Sequence, residues 1–292
     1  MRMKKEQYSL SFCGDSFLLA DYGQIRSVPA GIKAVMLMNL IREHKVKGAV
    51  DMVPCNTSLL IRFDPNLVRP EEFRAEIKKL IDQEIQTKDN IIVSSRIVEL
   101  PVLFADPWTK EAIEEYCRTV TPKQYDVDFI IEQNHLSGLD ELIRYLSTPY
   151  YLVVYLSVGP GLPSTVCMDP DYVLSVPKYN PPRTSTPPLS IGLGGSNVSL
   201  YTTASPGGYQ LFGMLPTPLL QIEQKLPDFK KSPVLARIGD RFRYRPVDRE
   251  EFEDIKKQCE MGTYRYNIDW GAKLDLNAYE ASLETKKRRR AD

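Results

Sequence analysis

Apolar and polar positions alternate at the start of the chain, then fall into helical spacing, and the sequence does this twice. Tyr8 to Phe12 and Phe17 to Tyr22 alternate and meet at Gly14-Asp15, the signature of a hairpin. From Ile32 to His44 the spacing becomes helical, with Ile32, Val35, Met36, Leu40 and Ile41 on one face. Val50 to Val53 and Ser58 to Phe63 repeat the strand pattern, closed by Asp64-Pro65. Pro70 then suits the first position of a helix, where its missing N–H is not needed. Glu71 and Glu72 suit the positive end of that helix dipole, and Phe73, Ile77, Leu80 and Ile81 form its buried stripe. Two hairpins and two helices predict a two-layer α+β unit, ββαββα, over residues 1–88.

Thr87 to Asn90 is polar and reads as a linker. Ile91 to Phe104 reads as strand broken at Pro101, and Thr109 to Arg118, Val127 to His135 and Leu139 to Leu146 as short helices. Ser137 with Asp140 resembles a capping box. Tyr150 to Val158 is a β-branched and aromatic strand. Beyond it come short apolar runs (Ser190 to Leu193, Val198 to Tyr201, Tyr209 to Phe212, Arg241 to Tyr244) set among Gly and Pro, a texture that predicts a β-barrel over residues 89–247. Residues 248–292 read as a helical extension, with a helix from Asp248 to Glu260, a second from Leu276 capped by Asn277, and a solvated basic end at Lys286 to Arg290.

Charge adds little to this picture. The 38 basic residues balance the 38 acidic ones, so no global field favours nucleic acid or an anionic membrane. No apolar run reaches the roughly 18–20 residues of a membrane span, and Met1 to Gln7 lacks the apolar core of a signal peptide, which reads as a soluble, cytoplasmic protein. The five cysteines are scattered and never in C-x-x-C spacing, and the chain has two histidines. Neither a disulfide framework nor a metal site is expected. The chain has no G-x-x-x-x-G-K-[ST] phosphate loop, no dinucleotide fingerprint and no G-x-S-x-G elbow. His135, just before a helix, reads as a surface residue rather than a base.

Three segments carry candidate chemistry. Val158-Gly-Pro-Gly-Leu-Pro163 is a tight turn that a ligand could approach closely. Lys178-Tyr-Asn-Pro-Pro-Arg-Thr-Ser-Thr-Pro187 holds an ammonium, an amide, a guanidinium and several hydroxyls. There Arg183 is suited to gripping a carboxylate and Lys178 to acting as a point charge or, if desolvated, a base. Asn180 can donate to and accept from an amide. The plain alternative is an exposed polar loop. The third segment runs Ile191-Gly-Leu-Gly-Gly-Ser-Asn197 and on to Ser205-Pro-Gly-Gly-Tyr-Gln210. Gly194, Gly195, Gly207 and Gly208 permit exposed amides of the kind found in oxyanion pockets, and Gln210 can hydrogen-bond an amide.

In this order, these segments resemble the family called allophanate hydrolase subunit 1, also known as KipI or PxpB. The likeness starts at Phe12-Cys-Gly-Asp-Ser-Phe-Leu-Leu19 and continues through Val53-Pro-Cys-Asn-Thr-Ser-Leu-Leu60 to Ser205–Gln210. The closer likeness is to the carboxyltransferase region of biotin-dependent urea carboxylase, carried by the ungapped Lys178–Pro187 run, by Pro206–Gln210 and by a tail resembling Gly262-Thr-Tyr264 and Leu274-Asp-Leu-Asn-Ala-Tyr279. Tyr145 stands where the oxoprolinase branch usually has histidine. Departures at Pro187–Leu189, Gly192–Asn197 and Gly213–Leu215 leave the acceptor open.

The resemblance implies an α+β domain followed by a cyclophilin-like barrel. It also implies a carboxyltransferase half that is inactive alone and completed by a KipA/PxpC-like second half, a biotin carboxylase and a biotinyl carrier. Biotin would ride on that separate carrier, because no M-K-M attachment site is present and Arg2-Met3-Lys4-Lys5 is not one in context. Lys178 and Arg183 would contact carboxylate or biotin oxygens, and Asn180 and Gln210 would orient a urea-like small acceptor. Thr184, Gly194, Gly195, Tyr201, Gly207, Gly208 and Tyr209 would shape the pocket. Two other activities occur in related branches, that of a PxpB-type 5-oxoprolinase subunit, which takes part in ATP-dependent lactam opening, and that of a KipI-type inhibitor of a histidine kinase.

Overall fold

The computed structural model describes residues 8–23, 28–85, 91–157 and 159–291, with side chains to residue 288. The linker expected at Thr87–Asn90, the start of the Val158 turn and the Arg2–Lys5 segment lie outside these residues. Two compact units emerge. One comprises residues 1–95 and 272–292, the other residues 96–271.

The first unit begins with β1 (Ser9–Phe12) and β2 (Phe17–Asp21), joined by a turn in which Gly14 takes φ +70°, a conformation that favours glycine. Next come α1 (Val28–Glu43), β3 (Ala49–Pro54), β4 (Ser58–Phe63), α2 (Pro70–Leu80) with a π-helical turn over Ile81–Ile85, and β5 (Ile92–Ser94). The strands form an antiparallel sheet in the order β1-β2-β4-β3. Period-two alternation puts Leu18, Ala20, Leu59, Ile61 and Phe63 on the buried face. Pro70 opens α2 as expected. α1 differs from its single-face expectation, since Ala30, Ala34, Leu37 and Met38 are buried as well. The sheet packs on one side of it, and α2 and the C-terminal helix pack on others.

The second unit holds β6 (Ile97–Phe104), α3 (Pro107–Thr119), α4 (Asp126–Gln133), α5 (Leu139–Ser147), β7 (Tyr151–Leu156), β8 (Pro163–Cys167), β9 (Arg183–Thr186), β10 (Ser190–Gly194), β11 (Asn197–Leu200), β12 (Ser205–Gly207), β13 (Gln210–Met214), β14 (Arg241–Pro246), α6 (Arg249–Glu260) and β15 (Ile268–Asp269). Seven strands run β13-β10-β11-β8-β7-β14-β6, and β6 pairs back onto β13 through Phe104↔Gly213 and Leu103↔Met214, closing a barrel. β14 and β6 pair in parallel. The barrel core includes Val98, Leu100, Val102, Tyr151, Val153, Phe212, Phe242 and Tyr244. β9 and β12 form a separate ribbon.

Pro101 sits inside β6 instead of breaking it. The Glu99 N–H, two residues earlier on the same edge, bonds the Asn267 carbonyl. β15 pairs at Ile97 and Val98 and β13 at Leu103 and Phe104, so Pro101 falls in the gap between them, where a missing donor costs little.

The expected third part, residues 248–292, is not a separate extension. α6 buries Phe252 and Ile255 against the barrel unit, with Phe252 5.0 Å from the Trp108 ring. β16 (Lys273–Asp275) and α7 (Leu276–Ala291) belong to the first unit, where β16 pairs antiparallel with β5. Two caps also differ. Ser137 donates through its amide and hydroxyl to Glu141, not Asp140, and Asp275, not Asn277, accepts the Ala278 N–H at the start of α7.

Candidate functional site

The Lys178–Pro187 run bends at Asn180–Pro181 and enters β9 at Arg183, with single buried side chains set among exposed ones. Lys178 and Asn180 are exposed, whereas Tyr179 between them is buried. Thr184 is exposed, and Arg183 and Thr186, on β9, are buried. The segment is tied down along its length. The Gln210 side-chain amide donates to the Pro177 carbonyl (2.8 Å), the Tyr179 N–H to the Gly208 carbonyl (2.7 Å), and the Tyr116 hydroxyl of α3 to the Pro181 carbonyl (2.7 Å).

Beneath the segment lies a charged cluster centred on Asp126, the first residue of α4. Its carboxylate is fully buried. Oδ1 accepts from Lys123 Nζ and from the Tyr179 hydroxyl (2.5 Å), and Oδ2 accepts from the Leu211 N–H (2.6 Å). Lys123 also donates to Gln210 Oε1 (2.8 Å) and lies 4.1 Å from the centre of the Tyr179 ring. Burial pushes the Asp126 carboxyl up and the Lys123 ammonium down, and their ion pair opposes both shifts. Burial likewise raises the Tyr179 and Tyr201 hydroxyls.

Arg183 stands at the edge of this cluster and is only 2% exposed. Its Nη1 donates to the Tyr209 carbonyl (2.9 Å) and its Nε to Thr186 Oγ1 (3.3 Å), while the guanidinium lies 4.4 Å from the Tyr179 ring centre. Nη1 is 3.9 Å from Asp126 Oδ2, close enough for attraction but not for a hydrogen bond. Nη2 is buried and has no hydrogen-bond partner among the described residues.

The glycines make room more than they offer donors. A Cβ on Gly194 would lie 2.4 Å from the Tyr209 ring, and one on Gly207 would lie 2.4 Å from the Tyr201 hydroxyl and 2.6 Å from Thr186 Oγ1. Tyr209 therefore packs over β10, its carbonyl on Arg183 and its ring 4.9 Å from Lys178 Nζ. The Gly195 amide is already bonded to the Val176 carbonyl (2.9 Å), so that N–H is engaged within the fold, and the Gly208 carbonyl accepts from the Tyr179 N–H. Gln210 is buried with both amide atoms engaged, on Lys123 and Pro177. It fastens the segment instead of presenting an amide to a ligand.

Lys178, Asn180 and Arg183 thus share one segment, with Tyr201, Gly207, Gly208, Tyr209 and Gln210 packed around or beneath it. The described part of the Gly159–Pro163 turn adjoins this cluster through Leu162, which packs with Tyr201 and Leu211. It is held by the Ser157 N–H on the Leu162 carbonyl and by Thr202 on the Pro160 carbonyl. His135 is exposed at a helix end, with φ +54°. Asp126, Lys123, Tyr116 and Tyr179 belong to the site without standing out in the sequence. An acid in the first turn of a helix reads as an ordinary dipole partner, and only the tertiary fold brings Asp126 beneath Tyr179 and Leu211.

Among the described residues no helix is long and apolar enough to cross a membrane. Urea amidolyase of Saccharomyces cerevisiae is 31% identical over 266 residues, which is 88% of this chain and 14% of the yeast protein. A 5-oxoprolinase subunit of Bacillus subtilis is 24% identical over 260 residues, 86% of this chain and 98% of that protein. The solved urea amidolyase of K. lactis superposes with a TM-score of 0.84 at 26% identity, covering 98% of this chain and 17% of that one. The chain therefore spans 14% and 17% of the lengths of these two yeast relatives. The family model for the carboxyltransferase domain, subdomain C and D, matches residues 8–229, and the chain belongs to that family.

Proposed function

We propose that this chain is one half of the carboxyltransferase of a biotin-dependent, urea-carboxylase-like enzyme, moving a carboxyl group to a urea-like or amide-like small acceptor. The observation that carries the reading is the unpartnered Nη2 of Arg183, in the same segment as exposed Lys178 and Asn180. A buried guanidinium N–H without an acceptor is uncommon in a folded chain, and a carboxylate or ureido oxygen is a matching partner. The cluster also favours an anion. Lys123 and Arg183 bring two positive charges and Asp126 one negative.

Carboxybiotin on a separate carrier fits this donor set, since its ureido and N-carboxyl oxygens are acceptors. When bound, it supplies the activated carboxyl group. Arg183 and Lys178 would hold its oxygens, and Asn180 would orient the acceptor amide. The buried floor of Tyr179, Gln210 and Tyr201 excludes water from beneath. The work would require a KipA/PxpC-like second half and a biotin carboxylase.

A second reading, an oxoprolinase-type subunit, is favoured by one observation: the Bacillus 5-oxoprolinase subunit is matched over 98% of its length. Purification of the tagged protein from its own source separates the two. Co-purification of a biotinylated carrier, with bicarbonate- and ATP-dependent labelling of an acceptor, supports carboxyl transfer. A complex free of biotinyl protein that opens 5-oxoproline with ATP refutes it in favour of the second reading.

A further inference from the structure

We infer that Asp126 is a positioning residue of this site, a role that rests on the carboxyltransferase reading but belongs to a residue below the exposed segment. Three donors from three places in the chain converge on its carboxylate: Lys123, the Tyr179 hydroxyl 53 residues on and the Leu211 amide 85 residues on. Through them Asp126 governs the exposed segment at two points. It holds Tyr179 directly, and it holds Pro177 through Lys123 and Gln210. Tyr179 is buried between exposed Lys178 and Asn180, so holding its ring inward keeps its two neighbours outward.

Asp126 also separates two like charges. Lys123 Nζ and Arg183 Cζ lie 4.1 and 4.4 Å from the centre of one ring, that of Tyr179, and the arginine adds to the downward push on the Lys123 ammonium. The carboxylate near both is what lets them stay together. It takes its hydrogen bonds from Lys123, Tyr179 and Leu211, and Arg183 remains 3.9 Å away with Nη2 unpartnered. The same residue therefore builds the platform and leaves Nη2 of its arginine without a hydrogen bond.

The test uses the full chain, alone and assembled with its partners. Asp126→Asn offers one carbonyl acceptor where three donors converge, so Tyr179→Phe and Tyr116→Phe, which keep the rings, accompany it in case it fails to fold. Amide hydrogen exchange over residues 177–187 should quicken at least about tenfold in Tyr179→Phe while the barrel strands keep their protection. In the assembled enzyme, kcat/KM should fall about tenfold or more, through a raised KM for the carboxyl donor or acceptor with kcat less affected, as loss of ground-state holding predicts. Wild-type exchange and wild-type kinetics in the folded variants would overturn the assignment. If the assembled wild-type enzyme transfers no carboxyl group, the carboxyltransferase reading falls, and the exchange experiment still decides whether Asp126 positions the segment.

Discussion

The barrel unit contains two buried arginine–aspartate pairs that differ in how completely they are closed. In the first, Arg96 meets Asp240 through two hydrogen bonds, Nε to Oδ1 at 2.8 Å and Nη2 to Oδ2 at 2.5 Å, and adds a third to the Leu235 carbonyl at 2.9 Å. Asp240 takes the Arg237 N–H as well. The pair stands immediately before β6 and β14, and the Arg241 N–H bonds the Arg96 carbonyl there, so the clamp fixes the start of the barrel's parallel pairing. In the second pair, Asp126 gives its oxygens to Lys123, Tyr179 and Leu211, and Arg183 stays outside hydrogen-bonding range with one nitrogen unpartnered. Burial is alike, and the second pair differs in having Lys123 as a further cation and in leaving its arginine's hydrogen bonds incomplete. A closed fork is an element of architecture, whereas an open one in a segment with exposed polar side chains is what the proposed binding role calls for.

The strongest way to break this comparison is to delete each arginine. Arg96→Ala strands the Asp240 carboxylate in the interior and should destabilise the barrel unit by about 3–5 kcal/mol, seen as a fall in the denaturant midpoint. Arg183→Ala leaves Asp126 with three donors and should cost about 1–2 kcal/mol. Equal losses would mean that the two pairs play the same structural part. Under the proposed carboxyltransferase reading, the contrast is carried by activity of the assembled enzyme. Arg183→Ala should lower carboxyl transfer by about 100-fold, the cost of losing a well-placed donor, and Arg183→Lys should recover part of it by keeping the charge without the fork. Full activity in Arg183→Ala would remove the case for an open pair.

The architecture can be read from the chain wherever local pattern decides it. Alternation and helical spacing locate β1 to β4, α1 and α2, and the Gly/Pro-rich short strands announce the barrel. What escapes depends on distant partners. β16 returns to pair with β5 from beyond the whole barrel unit in sequence, a contact that no local pattern records. Pro101 reads as a break because the gap that tolerates it is made by β13 and β15. At the site, the composition of Lys178–Thr184 is visible, but it does not tell exposed Lys178 and Asn180 from buried Arg183. Nor does it single out Asp126 among the chain's acids, since what distinguishes that residue is burial under Tyr179 and Leu211.

A smaller effect probes how the open pair is held. Gly194→Ala places a methyl 2.4 Å from the Tyr209 ring, which must move and take with it the carbonyl that holds Arg183 Nη1. The expected cost is about 1–3 kcal/mol, the usual range for overpacking, with a loss of carboxyl transfer larger than the stability change accounts for. Activity that falls only in step with the folded fraction would show that Tyr209 does not hold the arginine.

The smallest effect tests whether the closed pair is closed by its own hydrogen bonds. Trp270 is 54% exposed and lies 4.8 Å from the Arg96 guanidinium and 5.3 Å from that of Arg237. If the ring held Arg96 in place, the clamp would depend on a partly solvated contact. The fork to Asp240 and the bond to Leu235 fix the guanidinium without it. Trp270→Leu should therefore shift the unfolding free energy by no more than about 1 kcal/mol, the size of an exposed cation–π contact, and leave carboxyl transfer unchanged. The variant retains Trp108 as its one tryptophan, which makes the same denaturation curve readable by fluorescence. A loss near that of Arg96→Ala would show that the clamp needs its aromatic cover, and hydrogen-bond completeness would no longer separate the two pairs.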